Sequence, residues 1–149
     1  MSKDRADAKD GDNQPKFPHR DDAGRVILLT ELLAYALMML AIGVILLGIV
    51  DVLFQVFGFG DFGQTSGWIA GTLVAFFYAD DFRAHKSNRF RWLILLASVV
   101  LAFFAGMAVF TQLPLYWMPL VNGALGVTTS ALVYGILWFT GVRIIGAED

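Results

Sequence analysis

From Val26 to Val50 the chain runs 25 residues with a single charged side chain, Glu31. As a helix this stretch reaches roughly 37 Å, more than the hydrocarbon thickness of a bilayer at about 30 Å. Three more stretches repeat the pattern. Phe62 to Ala79 gives about 27 Å, Trp92 to Phe110 about 28 Å, and Leu120 to Val142 about 34 Å. Pro119 stands at the first turn of the last, where its missing N–H breaks no bond. Of the 149 residues 57% are hydrophobic and 16% charged, too few charges to cover a water-facing surface. The expected fold is an all-α integral membrane four-helix bundle over residues 26–145, with spans at about 26–50, 62–79, 92–110 and 120–142.

Residues 1–25 read differently. This tail mixes Lys and Arg with Asp, carries Pro15, Pro18, Gly11 and Gly24, and offers Phe17 as its one large apolar group. It buries too little surface to offset its ordering entropy, so a disordered cytoplasmic tail is expected. Asp21 and Asp22 are candidates to cap the helix that follows. A 25-residue polar tail ahead of a long apolar run also argues for an uncleaved helix over a secretory signal.

Orientation follows from the cations. All 11 Lys and Arg fall in three places. These are the tail (Lys3, Arg5, Lys9, Lys16, Arg20, Arg25), the connection after the second span (Arg83, Lys86, Arg89, Arg91) and Arg143. The connections 51–61 and 111–119 hold none. Basic segments stay on the cytoplasmic side during insertion, so both termini are expected inside. Trp68 and Trp117 then fall near the outer boundary and Trp92 and Trp138 near the inner one.

Several motifs look like chemistry and lack its context. Gly58 to Gly63 reads G-F-G-D-F-G, which matches the dinucleotide-binding pattern but follows no strand and opens no βαβ unit. Asp61-Phe62-Gly63 and His19-Arg20-Asp21 mimic kinase signatures without room for a kinase fold. A flexible turn dipping its Phe residues into the interface is the expected role. Gly67 and Gly71 form a GxxxG that Ala75 and Ala79 continue, a stripe that lets another helix approach closely. Ser98, Ala102 and Gly106 repeat it, as do Ala131 and Gly135, and packing within one chain is expected before any dimer.

Glu31 is the candidate intramembrane functional residue, because an ionisable group inside a span is costly. It sits about 8 Å from the inner edge, close enough to reach the surface or to pair with Arg143 or Arg25. The alternative is a proton- or cation-coupled role. Thr128, Thr129 and Ser130 lie near the centre of the last span and are expected to bond their own i−4 carbonyls. Asp81 and His85 have helical i, i+4 spacing, but two ligands do not make a metal site. Arg83, Lys86, Arg89 and Arg91 are expected to contact anionic lipid headgroups. With no cysteine, no nucleophile–base pair and no paired carboxylates, neither catalysis nor a cofactor nor a metal is expected. The formal net charge of −2 gives no basic face for nucleic acid.

The stretch GWIAGTLVAFFYADDFRAHKSNRFRW, residues 67–92, resembles the ABZJ family of small uncharacterised bacterial membrane proteins. The shared features are a four-helix plan, a small-residue-rich second helix ending in aromatics, and a basic loop. The resemblance implies a bacterial inner membrane and lends no mechanism. In plan, with a glutamate in the first of four short helices, the chain also resembles the small multidrug-resistance exporters. Two functions are therefore expected. One is a non-enzymatic accessory or scaffold subunit that packs against itself or a larger membrane complex. The other is a small oligomeric proton- or cation-coupled transporter using Glu31.

Overall fold

A computed structural model describes residues 17–60, 64–86 and 88–145. Of these, 76% are helical and none forms a strand. The elements are α1 (Leu29–Val56), α2 (Gln64–Ile69), α3 (Thr72–Ala84), α4 (Arg91–Gln112) and α5 (Pro119–Ile144). Three of them, α1, α4 and α5, are long and apolar enough to cross a membrane.

The second apolar stretch differs from expectation. It is divided at Ala70–Gly71 into α2 and α3, neither of which is long enough alone. Two local bonds account for the break. The Gly71 N–H turns to the Trp68 carbonyl at 3.1 Å, a tighter i−3 closure, and the Thr72 hydroxyl donates to the Ile69 carbonyl. The broken backbone nests against Gly43 of α1, where a Cβ would lie 3.2–3.3 Å from the Ala70 carbonyl carbon and Cα. The absence of a side chain at Gly43 is what admits it.

α5 is the central helix: α4 packs along it, α2 and α1 pack on it, and α1 also touches α2 and α3. Its buried Gly123, Gly126 and Gly135 make the room. Gly67 of α2 lies directly on the Gly123–Ala124 backbone, and Gly106 of α4 faces Ser130 and the Gly126 carbonyl. On α4 the buried side is Ile94, Ser98, Ala102 and Gly106, every fourth residue, so the small-residue stripe packs on α5 inside the chain. Gly135 leaves space for the Tyr78 hydroxyl, which donates to the Ala131 carbonyl at 2.8 Å.

The ends also shift. α1 starts at Leu29 and continues to Val56, so Asp51 lies on the helix and is buried. The N-cap position, Leu28, makes no side-chain capping bond. Asp21, expected as a cap, instead closes a turn. Its Oδ1 accepts the Ala23 and Arg25 N–H groups at 3.0 and 2.8 Å, and its Oδ2 the Arg25 Nε–H at 2.7 Å. Arg20 and Val26 face each other across this turn in an isolated antiparallel bridge. The tail expected to be disordered thus enters the described residues at Phe17, and 17–28 folds back onto one end of the bundle. The remainder of it, 1–16, lies outside the described residues.

Two measurements check these features. Gly67→Ala pushes a methyl into α5 backbone that cannot give way, so thermal unfolding of the purified protein should show a loss of about 1–3 kcal/mol. Gly48→Ala, with only an ordinary 3.5 Å contact to Leu120, should leave stability nearly unchanged. The Asp21 turn should respond to acid. Partial burial pushes this carboxyl up, but the Arg25 N–H and guanidinium and the Ala23 N–H outweigh it and hold it below its usual range. A depressed carboxylate stabilises the fold above its unfolded pKa near 4 and loses that contribution as pH falls through the folded value. Protection of the 21–26 amides, the exchange rate taken relative to the intrinsic rate at each pH, should therefore fall below about pH 4 and hold steady between pH 5 and 8.

Candidate functional site

α3 buries Val74, Phe77, Tyr78 and Asp81, the i, i+3, i+4, i+7 face of one helix. Three of these are apolar and the fourth is an acid. Asp81 is 2% exposed, and a carboxyl taken from water in this way costs several kcal/mol unless it is bonded. Each of its oxygens accepts one N–H. Trp138 Nε1–H donates to Oδ2 at 2.7 Å, and the Val26 backbone N–H donates to Oδ1 at 3.2 Å. His85, one turn further on, places Nδ1 2.8 Å from the Asp81 carbonyl oxygen and 3.7 Å from Oδ2.

This arrangement adds to the sequence reading at two positions. Asp81, beyond the end of the span expected over 62–79, lies on α3 and belongs to the core. Trp138 lies within two turns of the α5 C-terminus and is 0% exposed, and its indole N–H serves the buried acid. Its ring stacks at 6.3 Å on Tyr134, meets His85 edge-on at 5.6 Å and lies tilted to Phe82 at 5.6 Å. The helical face of α3 was the available signal: counting by threes and fours from Val74 lands on Asp81, while Asp80 falls outside and pairs with Arg83 at 3.2 Å.

Glu31 lies in the first turn of α1 with its side chain 16% exposed. Its partner is neither Arg143 nor Arg25. The His19 backbone N–H donates to Oε2 at 2.7 Å, and His19 Nδ1 lies 2.6 Å from Oε1. Arg143 instead donates to the Ile27 carbonyl, and Arg25 is held by Asp21. Phe17 packs on Tyr35 at 6.0 Å, and Arg20 lies over the Phe77 ring at 5.8 Å. The two acids thus do one job together: Glu31 holds His19, Asp81 holds Val26, and the segment 17–28 is fastened across the end of the bundle.

The same end carries every described Lys and Arg. Arg20 and Arg25 lie in the turn, Arg83 at the end of α3, Lys86 and Arg89 in the following loop, Arg91 at the start of α4 and Arg143 in the last turn of α5. Arg89 stacks on Phe90 at 5.3 Å, and Arg91 lies 5.0 Å from the Phe82 centroid and 6.0 Å from that of Trp92.

Of the small residues singled out on the second stretch, Gly67 packs on α5, Gly71 meets Val127, and Ala75 is exposed. Ala75 lines a groove of about 470 Å³ between α3 and α4, floored by Val127, Ser130, Ala131 and Tyr134 of α5. Thr128 and Thr129 donate to carbonyls four residues back at 2.6 and 3.0 Å, whereas the buried Ser130 hydroxyl on the groove floor has no hydrogen-bond partner among the described residues. Among those residues no three His, Cys, Asp or Glu side chains gather as a metal site would require. Of the G-F-G-D-F-G stretch, Gly58 and Gly60 adopt positive φ (76° and 83°) beside the exposed Phe57 and Phe59, while 61–63 lie outside the described residues.

Trp138→Phe removes the donor to Asp81 and also leaves a small cavity where the second ring of a fully buried indole was. An acceptor left buried without its partner should lower unfolding stability by about 1–3 kcal/mol, and protease cleavage within 17–28 should accelerate. Unchanged cleavage would mean that the Trp138 bond is not needed for Asp81 to hold this segment. No family model, curated protein or solved structure matches the chain.

Proposed function

We propose that this chain is a protein of a bacterial inner membrane, crossing it four times with both termini cytoplasmic. In this reading it works as a non-enzymatic accessory or scaffold subunit, packing against itself or a larger membrane complex. The gathering of described cations at one end supports the orientation, since Lys and Arg remain on the cytoplasmic side. Rows of exposed apolar side chains on α1 and α4, such as Ile45, Ile49, Leu93, Leu96 and Phe104, are what lipid would cover. α2 and α3 together, residues 64–84, extend about 31 Å and serve as the fourth crossing. Its broken backbone is tolerable because Gly43 of α1 covers it. The resemblance of 67–92 to the ABZJ family supports the bacterial setting.

One observation carries the non-enzymatic part. The acids within or beside the proposed spans are engaged in holding the fold: Glu31 with His19, Asp81 with Trp138 and Val26, and Asp51 also in an interaction. The groove that opens between helices is lined almost wholly by apolar side chains. The transporter reading keeps one supporting feature, the carboxyl and imidazole of Glu31 and His19 at 2.6 Å, a pair able to exchange a proton.

The chain contains no cysteine, so single introduced thiols report topology cleanly. In intact cells an impermeant maleimide should label Leu115→Cys and spare Ser87→Cys until the membrane is opened. Labelling of Ser87→Cys from outside would overturn the orientation. Glu31→Gln separates the two functions in proteoliposomes. The scaffold reading expects no proton flux in either form and an assembly in mild detergent that survives the substitution. Proton flux abolished by Glu31→Gln would establish the transporter instead.

A further inference from the structure

The groove between α3 and α4 ends in cations. Its walls are Ala75, Ala79 and Phe82 on one side and Trp92, Val99 and Phe103 on the other. From Trp92 to Phe103 it extends about 17 Å along α4, close to the depth of one leaflet, half of about 30 Å. Its volume of about 470 Å³ lies in the range of small-molecule sites. The wall on α3 is thin because Gly71, Ala75 and Ala79 follow every fourth residue, so the stripe that invites a helix elsewhere opens a slot here.

At the mouth, Phe82 and Trp92 both lie under the Arg91 guanidinium. Among the described residues Arg91 makes no ion pair, and neither do Lys86 and Arg89 of the adjoining loop, while Arg83 is held by Asp80. An apolar slot one leaflet deep with an uncompensated guanidinium at its rim matches a molecule with a hydrocarbon tail and an anionic head. A second copy fits less well, because a two-fold axis along the bundle would bring these cations toward their own images.

We propose that this groove is a binding site for an anionic glycerophospholipid, with one acyl chain between α3 and α4 and the phosphate on Arg91. The inference rests on the membrane reading above. The bound chain completes the packing between α3 and α4, and the charge of the head selects the lipid.

Native mass spectrometry of the full chain in mild detergent, with phosphatidylglycerol or phosphatidylcholine added, tests it. Phosphatidylglycerol should bind in preference, and soluble glycerol phosphate should not displace it. Ala75→Trp and Val99→Trp, both at exposed positions, should each reduce the adduct about tenfold by filling the slot. Arg91→Gln should lower the preference for the anionic lipid about fivefold, and Arg83→Gln should leave it in place. Equal binding of the two lipids, insensitivity to both Trp substitutions, equal effects of Arg83→Gln and Arg91→Gln, displacement by glycerol phosphate, or a dimer lost in Ala75→Trp would each overturn the proposal. Carbonate washing distinguishes its basis: a chain released from membranes refutes the membrane reading itself, whereas an embedded chain without lipid preference refutes this site alone.

Discussion

Asp81 joins parts of the chain that lie far apart in sequence. Its carboxyl is bonded to an indole 57 residues later and to a backbone N–H 55 residues earlier. The cost of removing a carboxyl from water makes these bonds a condition of burial rather than an addition to it. With Trp138 in place, the end of α3 is fixed against α5. With Val26 in place, the chain enters α1 from a defined direction. The aromatic cluster of Tyr78, Phe82, Tyr134 and Trp138 then packs around a polar centre with little freedom in how it assembles. Glu31 supports the arrangement from the other side by holding His19, so the first described residues close off the bundle as a strap across its basic end.

Away from this end the fold is held by missing side chains. α5 carries glycines where α2, α4 and Tyr78 approach it, and α1 supplies Gly43 where the broken backbone between α2 and α3 comes close. Close approach gains many weak dispersion contacts and exposes no polar backbone, which suits helices whose outer faces are apolar. The same residue class has a different effect where no helix comes near. Ala75 and Ala79 sit opposite α4 across a gap, and the result is the groove rather than a seam.

The proposed role follows from the division between these two regions. The basic end spends its acids on internal bonds and leaves Lys86, Arg89 and Arg91 outward, next to the groove mouth. The helical faces beyond it are apolar, and in the proposed setting they would meet lipid hydrocarbon.

Length, apolar runs and the positions of the cations determined, from sequence alone, that the chain is helical, roughly where its helices lie, and which residues share an end. These properties are local or one-dimensional: a run of Leu, Ile and Val must hide its backbone bonds in a helix, and charges gather wherever the runs stop. The i−4 bonds of Thr128 and Thr129 were legible for the same reason, being made within one helix. The i, i+3, i+4, i+7 face of α3 carried the burial of Asp81 in its spacing. Only the tertiary structure decided that Trp138 is its donor, that Glu31 meets His19 instead of an arginine, and that the second apolar stretch breaks at Gly71. Each of these depends on which helix lies opposite, and hydrogen-bond partners and clearances between helices are set by three-dimensional approach, which no spacing along the chain encodes.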